Sequence, residues 1–545
     1  MRRRRTTEAK KITAESVWSE YEKGESYHTQ INLHDRVKRN EQFYNGDQWE
    51  GVNAPDLEKP VINVFHPAVT FLVSQIVSDD VGVDLEPFVD DEENSKNCEI
   101  LMKEIDRIAE NEKEQAKGRE LVRDAAVDGD GCFHYYFDPY EGAAGEIKLE
   151  LLDNDKVIFA NPFLSDVQKQ RYIIIAMRMT VEEARERAKR EGISESEADS
   201  ISPDISAEFA GEDSKVLSEL CTVLRRYWFE GGRLCYCEST KEIMLKSPTK
   251  TGRKLYPVAW MPWEKVKNSY HGAAAMTPYI QNQIYINKMW ALAATFTKRM
   301  AFPTRFYNQS ILPAGLSNKI GQAIGVSGNP RDAVFVDSVP GSMSVQVLEM
   351  VDKSIAYMKE SMGVTDAALG NLKMDNASAI IALSEAATAP LIIQRLGFHQ
   401  CMEDAKRIVL DLMREYYGIR NIVVEETNEA GEVVRVASEV DFKSMDFDSF
   451  SVKVNVGTAS YCSELMQVQT LDALFRSGVI SDAITYLEEM PDGYIRHKPK
   501  LIKVLKEQRD AAQQELEAAN FPPSEQPEQI VDPAAEKMTE KISAI

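Results

Sequence analysis

The sequence predicts an α+β fold in which a mixed body of strands and helices carries two long helices and, after them, a longer one. Three observations predict it. Strand-like alternation and helix-like periodicity interleave over 15–273 without the regular βαβα succession of a doubly wound sheet. Two helical stretches, 274–301 and 345–363, flank a segment punctuated by Pro and Gly, 302–344. Residues 377–417 then keep helix periodicity, interrupted only by Pro390 and Gly397.

The first residues, 1–14, open with Arg2 to Arg5 and no apolar segment follows, which predicts a disordered basic tail and not a secretory signal. Residues 15–45 are expected as one helix stopped by Gly46. A helical apolar pattern follows through Val64, Val69, Leu72, Val73 and Ile76. The acidic run Asp90 to Glu93 reads as a solvated turn before a helix over 95–126 carrying Ile100, Ile105, Ile108, Leu121 and Val122. Asp128-Gly129-Asp130-Gly131 feeds an aromatic strand, Cys132 to Phe137. Counted from Asp128, the oxygen ligands of an EF-hand loop would fall on strand residues, which excludes that calcium motif. Strands are expected at Ile147 to Leu152 and Tyr172 to Met179, and a polar excursion over 189–218. Val223 to Phe229 and Leu234 to Cys237 should form a hairpin across Gly231-Gly232.

Beyond Ala274, residues Tyr279, Ile280, Ile284, Asn287, Ala291 and Ala294 fall on neighbouring turns of one helix. Leu348, Val351, Ile355, Met358 and Met362 keep three- and four-residue spacing in the next, with a short strand at Val334 to Val336 between them. The helix over 377–417 would be a rod of roughly 60 Å, kinked where Pro390 removes a hydrogen bond. Its second half is amphipathic through Met402, Ala405, Ile408, Val409, Leu412, Met413 and Tyr416. Ile422 to Val424 pairs with Val433 to Val436, and Phe450, Val452, Val454 and Val456 alternate as a further strand. Helices return over 463–520, and an acidic tail, 521–545, follows.

The 545 residues are 43% hydrophobic and 28% charged, which is ordinary for several globular domains. No run of ~18 apolar residues exists, so no membrane span is expected. The seven cysteines are few, scattered and odd in number, and point to core positions in a reducing compartment. Cys235 and Cys237 share a strand face, but no second Cys/His pair lies near at ligand spacing. A net charge of −23 excludes a chain that as a whole grips duplex DNA by neutralising phosphates. The charge suits a soluble protein and a channel that lets DNA slide equally well. There is no G-x-x-x-x-G-K-[ST], no H-E-x-x-H and no G-x-S-x-G, and the seven histidines lie apart. Adjacent acids such as Glu182-Glu183 and Glu488-Glu489 point apart on helices. No catalytic residue, cofactor or metal is therefore expected.

Four sets of motifs occur in order. Tyr44-Asn45-Gly46-Asp47-Gln48-Trp49 is followed by Lys59-Pro60-Val61-Ile62-Asn63, and Gly129-Asp130-Gly131 precedes the aromatic strand. Pro257-Val258, Pro262-Trp263 and Gly272 lead to a helix carrying Gln283 and Asn287. Ala367-Ala368-Leu369-Gly370 and Asn376-Ala377-Ser378-Ala379 lead to the helix ending in Tyr416-Tyr417. Over roughly 30–500 this order resembles the podovirus-like portal proteins, or head–tail connectors, of tailed bacteriophages. Lys59-Pro60 departs from the Arg-Pro of many relatives.

The resemblance implies a wing (15–273), stem helices (274–301 and 345–363), a clip (302–344) and a tunnel loop (364–376). A kinked helix with wing strands (377–462) and a helical crown (463–520) would complete it. It implies a non-enzymatic, dodecameric ring at one capsid vertex of the virion, assembled in the host cytoplasm. The ring would conduct double-stranded DNA during packaging and ejection without reading its sequence. Implied partners are the terminase large subunit, head–tail adaptor or tail proteins, and major capsid and scaffolding proteins, with no membrane. Asn371, Lys373 and Asn376 are then the tunnel-loop residues expected to meet phosphates, with Lys373 facing either DNA or a neighbouring subunit. Lys298, Arg299, Lys353 and Lys359 are expected along the stem channel. Gln283 and Asn287, one helical turn apart, pair locally or form a subunit contact, and Trp49 is expected as a packing anchor. Long amphipathic helices need apolar neighbours, and a closed ring of identical chains supplies them. The rival readings are another phage assembly component, such as a head–tail adaptor or shell subunit, and a metal-dependent nuclease drawing on the abundant Asp and Glu.

Overall fold

The computed structural model describes residues 12–509 apart from 205–219, 312–326, 337–344, 365–388 and a number of shorter stretches. The chain divides into two compact units, 1–457 and 458–545.

In the first unit, the single helix expected over 15–45 is two. These are α1 (Ala14–Gln30) and α2 (Leu33–Asn45), parted where Asn32 turns the backbone left-handed at φ 56°. Asn tolerates this region because its short polar side chain bonds locally. Thr13 and Ser16 form a reciprocal capping box at the start of α1, and Gly46 (φ 98°) ends α2 as expected. Helix α3 (Phe65–Ile76) buries Phe65, Ala68, Val69, Leu72 and Ile76, and strand β1 (Val81–Pro87) follows it. The helix expected over 95–126 is also two, α4 (Glu92–Asn111) and α5 (Glu114–Asp128), broken at Lys113 (φ 52°). Asp91, read as part of a turn, caps α4 by accepting from the Asn94 amide at 2.8 Å.

Strands β2 (Asp130–Asp138), β3 (Glu146–Leu152), β4 (Val157–Phe159) and β5 (Tyr172–Thr180) come next. Helices α6 (Val181–Arg190) and α7 (Glu195–Asp199) precede β6 (Leu220–Glu230), β7 (Arg233–Ser239), β8 (Met244–Lys250) and β9 (Val258–Pro262). They form two antiparallel sheets, ordered β3-β2-β9 and β4-β5-β6-β7-β8. The β6–β7 hairpin turns at Gly231 (φ 60°) and Gly232 (φ 75°), the left-handed pair that suits strand twist. Alternation along β5 and β6 sends side chains to opposite faces. Ile174, Ala176 and Leu224 pack with Val17 of α1, whereas Ile173, Ile175 and Tyr227 pack with Cys132, Val258 and Trp260 of the other sheet. Helix α1 lies close on β4 at Gly24, where a methyl group would overlap Ile158.

The long helices are α8 (Ile280–Ala301), α9 (Val345–Ser361) and α10 (Ile392–Tyr416). Between α8 and α9, β10 (Arg305–Tyr307) pairs antiparallel with β11 (Val334–Val336). Pro390 lies in a 3₁₀ turn, Ala389–Leu391, directly before α10, so α10 begins after the proline. The stretch upstream of it, 365–388, lies outside the described residues. Met402, Ala405, Ile408, Val409, Leu412 and Met413 are all buried, as the amphipathic pattern requires. On the same helix Lys406 pairs with buried Glu114 at 2.7 Å, and Asp411 accepts the amides of Lys254 and Leu255. Strand β12 (Ile419–Thr427) pairs with β13 (Val433–Asp441), and β14 (Phe450–Val456) pairs with β1.

The second unit contains α11 (Tyr461–Arg476) and α12 (Ala483–Glu488), with Phe475 packed on Tyr486. Residues 1–11 and 510–545 lie outside the described residues. The mixed helix-and-sheet architecture is α+β, as the sequence predicts. Cys98, Cys132, Cys221, Cys235, Cys237 and Cys401 are buried and free of disulfides.

Candidate functional site: a helix hairpin and its anchor

Motifs far apart in sequence meet at the root of α8. Gln283 and Asn287 lie one turn apart and are both buried. Asn287 Nδ2 donates to Gln48 Oε1 at 2.6 Å, and Gln283 Nε2 donates to the Ile62 carbonyl at 2.5 Å. The amides of Val64 and Ile62 donate in return to Gln283 Oε1 and Asn287 Oδ1, each at 3.3 Å. Gln283 Nε2 also donates to Asn287 Oδ1 at 3.1 Å, the local pairing. Both amides are enclosed in their own chain and tie α8 to the loop after α2. That loop is braced by Trp49 Nε1 donating to the Pro60 carbonyl at 2.9 Å and Asn63 Nδ2 donating to the Tyr44 carbonyl at 2.8 Å. Trp49 is thus a packing anchor.

A second junction precedes α8. The Asp130 carboxylate, fully buried, accepts the Gly272 amide at 2.7 Å and His271 Nδ1–H at 2.8 Å. Gly129 (φ 107°) and Gly272 approach so closely that a Cβ on either would strike the other's carbonyl oxygen. This contact leaves no room for a side chain at either position.

From this root, α8 and α9 run as an antiparallel hairpin. Tyr279 Oη donates to the Ser361 carbonyl at 2.9 Å, and Tyr285 Oη donates to Met350 Sδ at 3.6 Å. Val351 and Met358 face the core. The outer side is apolar too. Tyr285 and Leu292 share a stripe on α8, Met350 and Tyr357 share one on α9, and the Tyr285–Met350 contact joins the two. Leu292 is 59% exposed and Tyr357 67%, while at the start of α10 Ile393 is 76% exposed. An exposed apolar surface joined in this way is the kind that a second surface can cover.

The expected stem cations fall on this hairpin. Lys298 is exposed and pairs with Glu58 at 2.6 Å, and this hydrogen bond holds the Glu58 carboxyl below its usual range. Lys353 is exposed and Lys359 half-buried on α9. Arg299 lies in α8, its side chain outside the described residues, as are Asn371, Lys373 and Asn376 with the rest of 365–388.

A cleft of about 690 Å³ between β2, α6 and the larger sheet holds both signs of charge. Arg225 and Arg187 both bind Glu238, at 2.9 and 2.8 Å, and Lys246 binds Glu191 at 2.9 Å, while Arg253 lies over the Tyr227 and Tyr416 rings. Burial would raise the Glu238 carboxyl, but Arg225 and Arg187 outweigh it and hold it below the usual range.

The histidines do not all lie apart, as the sequence implied. Among the described residues, His28, His34 and His271 converge, with ring centroids 5.8 Å (His28–His34) and 5.2 Å (His28–His271) apart. In a continuous helix His28 and His34 would sit about a third of a turn apart around the axis, so the signal needed the break at Asn32.

Comparison with known families gives one match: residues 24–242 fit the family described as Phage P22-like portal protein. No curated protein matches the chain. The matched stretch contains the Gln48 loop, Asp130 and most of the larger sheet, and it ends before Gly272 and α8. No described helix is long and apolar enough to cross a membrane.

Proposed function

We propose that the chain, whose residues 24–242 fit the family described as Phage P22-like portal protein, is a structural component of a phage capsid, the ring subunit through which double-stranded DNA is packaged and ejected. One observation carries the reading: the α8–α9 hairpin is anchored at its root but leaves a joined apolar surface, Tyr285, Leu292, Met350 and Tyr357, outside its own core. Copies of the same chain set around an axis would cover it, since head-to-tail contacts that close give a ring. In this reading α8 and α9 are the stem, 302–344 the clip that receives the terminase motor, and 364–376 the tunnel loop.

The net charge of −23 is compatible with a conduit that holds DNA weakly, in which each tight phosphate contact would resist sliding. Lys298, Arg299, Lys353, Lys359 and, in the tunnel loop, Asn371, Lys373 and Asn376 are proposed as its sparse phosphate contacts. A dodecamer is the proposed stoichiometry, with tail, capsid and scaffolding proteins as further partners. Electron microscopy of the purified full chain tests the proposal. Top views of a closed ring with an axial hole are expected; monomers alone, across concentration and salt, would overturn it.

A further inference from the structure

The geometry points to a binding site for a divalent transition-metal ion, of the zinc class, formed by Glu25, His28 and His34 where α1 and α2 meet. Nothing in the portal role calls for it. The three side chains present donor atoms that all lie within 4.8 Å of one another. His28 Nδ1 faces Glu25 Oε1 at 3.6 Å, and His34 Nε2 lies 3.0 Å from Glu25 Oε2. Ligands held about 2.0–2.2 Å from one zinc ion need such mutual spacing.

The hydrogen bonds around the cluster fix how each imidazole is protonated. Tyr270 Oη reaches the Val157 carbonyl at 3.2 Å, and in donating there it accepts from His28 Nε2–H, 2.8 Å away. His271 is oriented by the Asp130 carboxylate, which can only accept from Nδ1–H, leaving His271 Nε2 as an acceptor 3.3 Å from the same His28 nitrogen. Both neighbours therefore require the His28 proton on Nε2. The Nδ1 lone pair that remains is fully buried, makes no hydrogen bond and faces a carboxylate. Two acceptors pointed at each other repel unless a cation sits between them.

His34 stands between two carboxylates, with Nε2 within hydrogen-bond distance of Glu25. Its Nδ1 lies 3.4 Å from Asp155 Oδ2, which turns Nε2 toward Glu25. A histidine whose far nitrogen is held by a carboxylate or hydroxyl while the near one faces the ion is the usual support of a metal ligand. Two imidazole nitrogens and one carboxylate, with water in a fourth position, suit zinc, and oxygen-loving calcium or magnesium would be a poor match. Glu25 and His28 belong to α1, His34 to α2, and Asp155 and Tyr270 to the body. A bound ion would staple the first two helices to the sheet.

The test uses the full chain, stripped with chelator and dialysed, then titrated with zinc chloride by calorimetry and thermal melting. One zinc per chain is expected, with a rise in Tm of several degrees. Glu25→Gln and His34→Ala should each weaken zinc binding at least about tenfold and abolish the Tm rise, while His66→Ala, on α3 beside Tyr44, leaves both unchanged. Glu25→Gln keeps the side chain's volume and carries the test if His34→Ala proves insoluble. Cobalt added in place of zinc should give the visible absorption of a four-coordinate site. A wild-type chain without zinc-dependent stabilisation, or variants that bind zinc as tightly as it does, would overturn the assignment and leave a proton as the cation shared by His28 and Glu25.

Discussion

The Asn287 side-chain amide donates to Gln48 Oε1 at 2.6 Å with both groups buried, joining the root of α8 to a loop more than two hundred residues earlier. Asn287→Leu leaves Gln48 Oε1 and the Ile62 amide without this partner. A loss of about 1–3 kcal/mol is expected, the cost of a stranded buried polar group. The shift of the chemical denaturation midpoint measures it.

Lys406 and Glu114 are both nearly inaccessible and lie 2.7 Å apart. Lys406→Met would strand the carboxylate and should cost about 3–5 kcal/mol. The double variant Lys406→Met with Glu114→Leu should recover most of that, because two apolar groups replace the pair without leaving a charge. Denaturation of the two variants side by side checks the sign of the difference.

Leu292→Asp and Tyr357→Ser remove apolar surface that contributes little to the isolated fold. Subunit stability should change by only about 0.5 kcal/mol, as at other exposed sites, whereas ring formation is lost or shifted to much higher protein concentration. Sedimentation velocity over a concentration series reads the second effect, and the thermal melt of the monomer reads the first.

Burial holds His134 down at about 4, against a weaker opposing hydrogen bond with Glu150, while an unfolded imidazole titrates near 6.5. Between those values the unfolded chain binds the extra proton. The contribution is therefore complete above about pH 6.5 and is lost as pH falls toward 4, an effect of about 3 kcal/mol. His134→Gln should make the stability of the chain less steep across that window. Denaturation midpoints of wild type and variant at pH 7 and 4.5 give the comparison.

Much of the fold was legible because periodicity and turn chemistry are local. The β6–β7 hairpin could be read from two glycines between alternating runs, and the buried stripe of α10 from its three- and four-residue spacing. The helix breaks at Asn32 and Lys113 were not, since both residues sit in patterns that continue helically on either side. β1 escaped notice because its partner, β14, lies some 370 residues away, and only that pairing makes Val81–Pro87 a strand. For the site, the motifs around Gln48, Asp130, Gly272 and Gln283 stood out singly, but their contact with one another is a product of tertiary packing. The histidine cluster was hidden by the same break that creates it.

The buried thiols carry a practical consequence. Burial raises the titration of Cys132 and Cys401 well above that of a free thiol, and alkylating reagents attack only the thiolate. Modification of these sulfurs thus waits on transient opening of the interior. In a Cys462→Ser background, the rate at which mass accumulates under iodoacetamide becomes a clock for how often each part of the body breathes: Cys221 on β6 times the larger sheet and Cys401 times α10.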